Sequence, residues 1–290
     1  MDIEHYFIEK GHGEPLILLH GNGENCDYFA GQVDEFARSW HVYALDTRGH
    51  GKTPRGAAPF TIRQFADDLL AFMDAQGIGK AHVLGFSDGG NIAMIFAMKY
   101  PERVDRLILD GANLDAKGVK RSIQIPIEIG YWFAKLFSGK SEEARLHAEM
   151  LGLMVNDPNV RPEELSNIKS KTLVIAGTKD MIKEGHTRLI ASSIPGSRLV
   201  FIKGDHFIAN KNPEEFNRAV VEFLQARRLT SLALFQTDGG DDCFNQAQHE
   251  EDVAQGHESP NPPLQYNPKQ EDDSACETGP VGAAMIFEEH

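Results

Sequence analysis

The segment Gly85–Gly90, with the sequence GFSDGG, constrains the fold of this chain more than any other stretch. A short apolar run precedes it and a helix-compatible run follows, so Ser87 is predicted to lie on a tight turn between a strand and a helix. Such a turn leaves no space for a Cβ two residues before or after the serine, and Gly85 and Gly89 occupy those positions. The pattern favours an activated serine nucleophile. A glycine-rich turn with an incidental serine is the alternative on this segment alone.

Strands and helices are predicted to alternate along the first 228 residues. Short, continuously apolar runs indicate strands covered on both faces, and the runs between them carry apolar residues at helical spacing. Six such repeats predict an α/β fold, with a mostly parallel sheet, helices on both faces and an active site at the carboxyl ends of the strands. The predicted strands are 3–8, 16–19, 41–45, 81–85, 107–109, 172–176 and 199–202, and the predicted helices are 26–39, 61–76, 91–98, 184–194 and 213–226.

The alternation stops between residues 113 and 168, where the sequence indicates two or three helices. The part from Ile123 to Phe137 is apolar nearly all round. Because the segment is inserted after the carboxyl end of a strand, we expect a small helical lid over the active site, in which Trp132 and Phe133 are candidate substrate contacts. A core helix in an additional layer is the alternative.

The last part of the chain, 229–290, has a different composition. It holds thirteen acidic residues against a single lysine, Lys269, so it carries −12 of the net charge of −14. Rich in Gly, Pro, Gln and Asn and without periodicity, it is predicted to be disordered. The domain boundaries expected are therefore 1–228 for the folded domain, with the lid inserted, and 229–290 for an acidic tail.

Two later strand ends offer partners for Ser87. Asp180 follows the strand 172–176, and His206 follows the strand 199–202. A serine hydroxyl needs a base to accept its proton and a carboxylate to orient that base, so the order Ser87, Asp180, His206 predicts a catalytic triad. Asp110, just beyond an earlier strand, is the alternative acid. The neighbouring Asp205 is expected to have no catalytic role.

An oxyanion that forms beside Ser87 needs two hydrogen-bond donors. The backbone N–H of Asp88 follows the nucleophile directly, and the backbone N–H of Asn22, in the loop His20–Gly23, is the second candidate. For the His20 side chain a structural hydrogen bond is the favoured interpretation. The Asp88 side chain has two possible roles: binding an ammonium group of the substrate, or acting as a helix N-terminal carboxylate.

These motifs together resemble the alpha/beta-hydrolase superfamily over about residues 1–226. The resemblance rests on HGNG, DTRGHGKT, GFSDGG, GTKD and GDHF, in that order along the chain. The sequence is similar to the small esterase and lactonase-like members with a helical lid, and its SDGG element to that of valacyclovir-hydrolase-like proteins. The resemblance implies a supporting role for Asp46 and Arg48. It does not cover the tail.

The resulting expectation is a serine hydrolase that cleaves a small carboxylic ester or lactone through an acyl-enzyme intermediate. An acyltransferase, a carbon–carbon bond hydrolase and a non-catalytic small-molecule-binding protein remain as alternatives. We expect no metal, cofactor, nucleic-acid or membrane partner, since the twelve histidines lack metal-ligand spacing and no basic patch or long apolar run is present. Three cysteines without a C-x-x-C pair and the absence of a signal sequence favour a cytoplasmic protein. The sequence does not decide whether the protein is a monomer or a dimer.

Overall fold

The structure, a computed structural model, describes residues 2–237, and for residues 227–237 it describes only the backbone. The chain divides into two units after Thr230, and the fold below is that of the first unit. Most of the predicted tail, from residue 238 onward, lies outside the described residues.

Within residues 2–237, seven strands form one sheet. Their order is β1-β3-β2-β4-β5-β6-β7, with β1 antiparallel to β3 and every other neighbouring pair parallel. The strands are β1 (Phe7–Lys10), β2 (Pro15–Leu19), β3 (His41–Leu45), β4 (Ala81–Phe86), β5 (Val104–Asp110), β6 (Lys171–Gly177) and β7 (Arg198–Ile202). The predicted mostly parallel α/β sheet is thereby confirmed.

Helices cover both faces of this sheet. On one face α2 and α3 pack with α6, and on the other α1 packs with α7 and α8. Alternate residues of β2 enter the two cores: Ile17 and Leu19 pack on the α2 side, and Leu16 and Leu18 on the α1 side. The helices are α1 (Ala30–Phe36), α2 (Ile62–Ala75), α3 (Asp88–Lys99), α4 (Arg121–Phe137), α5 (Glu142–Asn156), α6 (Glu184–Ser193), α7 (Ile208–Lys211) and α8 (Pro213–Thr237).

The insertion between β5 and β6 contains α4 and α5, followed by a short 3-10 helix at Pro162–Asn167. Helix α5 contacts two loops at the carboxyl end of the sheet. Its Glu149 forms an ion pair with Arg55, and its Met150 carbonyl accepts a hydrogen bond from the Asn22 side chain at 3.0 Å. Helix α4 packs on α5.

Several element boundaries differ from the sequence prediction. The predicted helix 26–39 is a 3-10 turn, Cys26–Phe29, followed by the shorter α1. The edge strand β1 runs to Lys10 rather than ending at residue 8, because its register is set by pairing with β3. The last helix ends at Thr237 rather than near 226, since 229–237 contains leucines and neither Gly nor Pro. In the described part of the chain, no helix is long and apolar enough to cross a membrane.

Candidate active site

Ser87 lies between β4 and α3 in a backbone conformation that side-chain-bearing residues rarely adopt, with φ of 52°. Close packing around the turn keeps Ser87 in this strained conformation. A Cβ on Gly85 would overlap the Gly89 carbonyl oxygen, and a Cβ on Gly89 would overlap that of Leu19. The Ser87 N–H donates to the carbonyl oxygen of Asp110 at 2.8 Å, which ties the turn to the end of β5.

The structure brings Ser87, His206 and Asp180 into one chain of hydrogen bonds. His206 Nε2 lies 3.0 Å from Ser87 Oγ, and His206 Nδ1 lies 2.7 Å from Asp180 Oδ1. That carboxylate oxygen also accepts from the Ile182 N–H at 2.8 Å. The geometry suits an imidazole that donates from Nδ1 to Asp180 and accepts from the serine hydroxyl at Nε2. His206 and Asp180 are each only 4% exposed, so solvent competes little with these bonds.

Gly111, which the sequence analysis did not single out, makes room for the histidine. It has a φ of +61°, and a Cβ there would lie 2.7 Å from Cε1 of His206. A lone glycine after a strand is the signal that could have indicated this close approach.

Asp110 and Asp205 do not take the place of Asp180. The Asp110 carboxyl is fully buried, and neither of its oxygens has a hydrogen-bond partner among residues 2–237. Burial, together with the charges of Asp180 and Glu24, raises the pKa of this carboxyl well above its ordinary value. Asp205 accepts from the Phe207 N–H at 2.9 Å and pairs with Lys211, so both of its oxygens are used away from the triad.

The two candidate oxyanion donors lie on elements that are bonded together. The Asn22 side-chain amide donates to Oδ2 of Asp88 at 2.8 Å, which holds the His20–Gly23 loop against the start of α3. Within residues 2–237, neither the backbone N–H of Asn22 nor that of Asp88 donates a hydrogen bond to another residue. Both N–H groups therefore remain available to an oxyanion.

The Asp88 carboxylate is buried, with only 9% of the residue exposed. Besides Asn22, the side-chain amide of Asn91 donates to its Oδ1 at 3.1 Å. Asn91 is in turn held by Asn113, whose backbone N–H donates to its Oδ1 at 2.9 Å. Burial raises the pKa of Asp88, and the bonds from the two asparagines act in the opposite direction. The sequence analysis missed the pair Asn91 and Asn113, since the two positions are 22 residues apart and no local pattern joins them.

Glu24 is a second residue that the sequence analysis missed. Its Oε2 accepts from the Gly21 N–H at 3.1 Å, so it braces the loop that carries Asn22. Burial is the main reason that the pKa of Glu24 is raised to about 7. An acidic residue three positions after a loop glycine is the local signal for such a turn.

His20 is hydrogen-bonded to the 46–53 loop. His20 Nε2 accepts from the Thr47 N–H at 3.0 Å and Nδ1 lies 2.7 Å from the Gly21 carbonyl oxygen, a structural use of this side chain. Burial lowers the pKa of His20 to about 3, so the ring is neutral. Asp46 accepts from the N–H groups of Cys26 and Lys52, each at 2.7 Å. Arg48 is buried and pairs with Asp68 and Asp2.

Trp132 and Phe133 lie on the exposed face of α4, where they are 59% and 52% exposed. Their rings contact each other, with centroids 4.9 Å apart. Among the ring contacts and hydrogen bonds of residues 2–237, none joins either side chain to Ser87 or His206. Their part in substrate binding stays a prediction. No group of three or more metal-ligating side chains occurs in the same residues.

The chain is similar to known proteins. A family model described as alpha/beta hydrolase fold matches residues 14–143. A 2-hydroxy-6-oxononadienedioate/2-hydroxy-6-oxononatrienedioate hydrolase of Burkholderia vietnamiensis is 29% identical over 261 residues, covering 76% of this chain and 90% of that protein.

Two solved structures are similar over about three quarters of this chain. A thermophilic esterase from Thermogutta terrifontis is 25% identical with a TM-score of 0.63, covering 77% of this chain and 94% of that one. Est816, an N-acyl homoserine lactone degrading enzyme, is 26% identical with a TM-score of 0.63, covering 76% and 97%. With the sheet order and the family match, these similarities show that the chain has the alpha/beta-hydrolase fold.

Proposed function

We propose that this protein is a serine hydrolase that cleaves a small carboxylic ester or lactone through an acyl-enzyme intermediate. The observation that carries the proposal is the continuous hydrogen-bonded chain from Ser87 through His206 to Asp180, with contacts of 3.0 and 2.7 Å. The similar esterase and the homoserine lactone degrading enzyme support this substrate class.

In the proposed mechanism, His206 Nε2 accepts the proton of Ser87 Oγ as the oxygen attacks the substrate carbonyl carbon. The carbonyl π electrons move to oxygen, and the resulting oxyanion accepts hydrogen bonds from the backbone N–H groups of Asn22 and Asp88. Asp180 stabilises the imidazolium. Collapse of the tetrahedral intermediate breaks the bond to the alkoxy leaving group, which takes the proton from His206.

The second half repeats these steps with water. His206 accepts a proton from a water molecule that attacks the acyl carbon, and the new tetrahedral intermediate expels Ser87 Oγ, which regains its proton from the imidazolium. The products are a carboxylic acid and the free enzyme. When the substrate is a lactone, the alcohol and the acid that hydrolysis releases remain in one molecule.

A series of p-nitrophenyl esters from acetyl to octanoyl, together with N-acyl homoserine lactones, tests the proposal. We expect turnover of at least one class, loss of about 10³-fold or more in kcat for Ser87→Ala, and an acyl adduct on the peptide that contains Ser87. No turnover and no adduct with any acyl chain would favour the non-catalytic, small-molecule-binding alternative.

A carbon–carbon bond hydrolase is the second candidate, because the Burkholderia relative acts on 2-hydroxy-6-oxononadienedioate. The same triad and oxyanion donors would serve that reaction. Assaying this dienedioate beside the ester series separates the two, since the preferred class shows the larger kcat/KM.

A further inference from the structure

We propose that Asp88 is a positioning residue. Through the Asn22 side chain it fixes the loop His20–Gly23, here called the oxyanion loop, to α3, and the same Asn22 amide joins that loop to α5. The inference rests on the proposed function and adds the device that holds its second oxyanion donor. We call the set Asp88, Asn22 and the Met150 carbonyl the oxyanion latch.

The first observation is the direction in which the carboxylate points. Asp88 is in the first turn of α3, where the helix dipole favours an acidic side chain of any orientation. Its two oxygens nevertheless accept from side-chain amides, Asn22 on the opposite loop at 2.8 Å and Asn91 at 3.1 Å. A buried carboxylate with neutral donors is costly to place, so the dipole alone does not account for it.

The second observation is how the Asn22 amide is used. Its nitrogen donates to Oδ2 of Asp88 and to the carbonyl oxygen of Met150, at 2.8 and 3.0 Å. These two bonds use both amide hydrogens and join α3, the oxyanion loop and α5. Asn91, which also donates to Oδ1 of Asn113 at 3.1 Å, keeps the Asp88 carboxylate from turning away.

The third observation concerns the rest of the loop. The backbone of Gly21 is held on both sides, since its carbonyl oxygen lies 2.7 Å from His20 Nδ1 and its N–H donates to Glu24. Asn22 is held within residues 2–237 by its side chain only. A shift of about 1 Å in a catalytic donor is enough to cost about 100-fold in rate, so the latch bears directly on the oxyanion site.

The competing role for Asp88 is to bind a substrate ammonium group. Asp157, which directly follows α5, favours that role because it is a second carboxyl near Asp88: burial and the charge of Asp88 raise the pKa of Asp157 to about 6. The two roles predict different substrate dependence. A positioning residue affects every ester alike, whereas an ammonium-binding residue affects amino-acid esters only.

The kinetic test compares p-nitrophenyl butyrate with the p-nitrophenyl ester of alanine. For Asp88→Ala and for Asn22→Ala we expect kcat to fall by about 10- to 100-fold on both esters, with KM changed by less than about threefold. The variant that combines Asp88→Ala and Asn22→Ala should lose no more kcat than the more impaired single variant, because one hydrogen bond links the two side chains. Asp88→Asn retains an oxygen that accepts from Asn22 and should restore part of kcat.

Glu184→Ala is the matched control, since Glu184 is an exposed acid in the first turn of α6 and should leave kcat unchanged. The loss of a helix N-terminal carboxylate is thereby separated from the loss of the latch. A kcat loss confined to the alanine ester would overturn the positioning role and assign Asp88 to the substrate ammonium group.

Hydrogen–deuterium exchange tests the latch without reference to activity. In Asp88→Ala and Asn22→Ala, peptides over 18–26 and 146–156 should exchange at least about threefold faster, and a peptide over β3 should not change. Unchanged exchange over 18–26 would overturn the latch. If the wild type turns over no ester, the proposed function fails, and this measurement still decides the inference.

Discussion

Glycine at position 89 allows the nucleophile turn to pack against the end of β2. A Cβ there would overlap the Leu19 carbonyl oxygen, which is backbone and has no flexible end to move aside. We expect Gly89→Ala to lower the free energy of unfolding by about 3 kcal/mol or more, and kcat/KM by at least about 100-fold, because relief of the clash displaces Ser87. Urea unfolding and ester turnover measure the two effects.

Gly185→Ala is the control for this substitution. Gly185 lies in α6, where nothing is within 4 Å of an added Cβ, so alanine should be neutral or stabilise by up to about 1 kcal/mol. Equal urea midpoints for Gly89→Ala and the wild type would contradict the assignment of Gly89 as a close-packing position.

Glu24 predicts a pH dependence of stability. Its folded-state pKa is raised from 4.5 to about 7, so the folded protein retains a proton that the unfolded chain releases as the pH rises from about 4.5. Stability is therefore lost as the pH rises through this window, and the penalty is complete above about pH 7. Glu24→Gln, which keeps an oxygen for the Gly21 N–H, should be more stable than the wild type at pH 8 by about 1 to 3 kcal/mol and nearly equal at pH 5.

Urea unfolding at the two pH values measures this difference. The same substitution at the exposed Glu102 gives the effect of removing a surface charge. An increase in the free energy of unfolding for Glu24→Gln that is the same at pH 5 and pH 8 would contradict the explanation by a buried carboxyl.

At the residue scale, the sequence predicted the positions that follow strands, and the structure brings those three side chains together. Ser87, Asp180 and His206 could be predicted from the sequence because each follows the end of its own strand. The bond between Asn91 and Asn113 was not predicted, since it joins two segments 22 residues apart. Glu24 does have a local signal, its spacing from Gly21, which the sequence analysis did not use. Side-chain networks depend on packing that sequence spacing does not encode.

At the scale of elements, α4 is apolar on two opposite faces. Ile127 is buried at 7% exposure on the inner face, whereas Trp132 and Phe133 are more than half exposed on the outer one. We expect Trp132→Gln and Phe133→Gln to change the free energy of unfolding by less than about 0.5 kcal/mol, and Ile127→Ala to lower it by about 2 kcal/mol. Thermal unfolding of the three variants tests this contrast.

The same variants test whether the outer face binds substrate. If Trp132 and Phe133 contact acyl chains, their replacement by Gln should raise KM for an octanoyl ester several-fold and leave the acetyl ester unchanged. Equal KM values on both esters for the variants and the wild type would remove these side chains from the substrate site.

The α4 sequence explains why its orientation was difficult to predict. A helix that is apolar nearly all round shows no polar face, so periodicity gives no indication of which side packs on α5. The strands were easier, because continuous apolar runs such as Leu16–Leu19 identify strands covered on both faces. The observed ends of the strands differ from the predicted ends by a few residues, because pairing with neighbouring strands sets the register.

At the scale of the whole molecule, the buried side chains that the structure describes lie before residue 227, whereas most of the net charge belongs to residues 229–290. Residues 229–290 carry −12 of the net charge of −14. Helix α8 contributes its buried side chains earlier, at Phe216, Val220, Phe223 and Leu224. The Phe223 carbonyl oxygen also accepts from the buried Arg106 at 2.8 Å.

Truncation after Arg228 should therefore leave the enzyme folded and active. The four buried side chains described within 213–226 all remain, so we expect the midpoint of thermal unfolding to stay within about 2 °C and kcat/KM within about twofold of the full chain. Truncation after Arg218 is the matched control: it removes Val220, Phe223 and Leu224, together with the acceptor for Arg106, and should prevent folding. Truncation after Arg228 changes the formal charge from −14 to −2, so the aggregated fraction of this truncated protein is measured as well. Loss of cooperative unfolding after the Arg228 cut, in a protein that stays unaggregated, would show that the acidic segment belongs to the folded core.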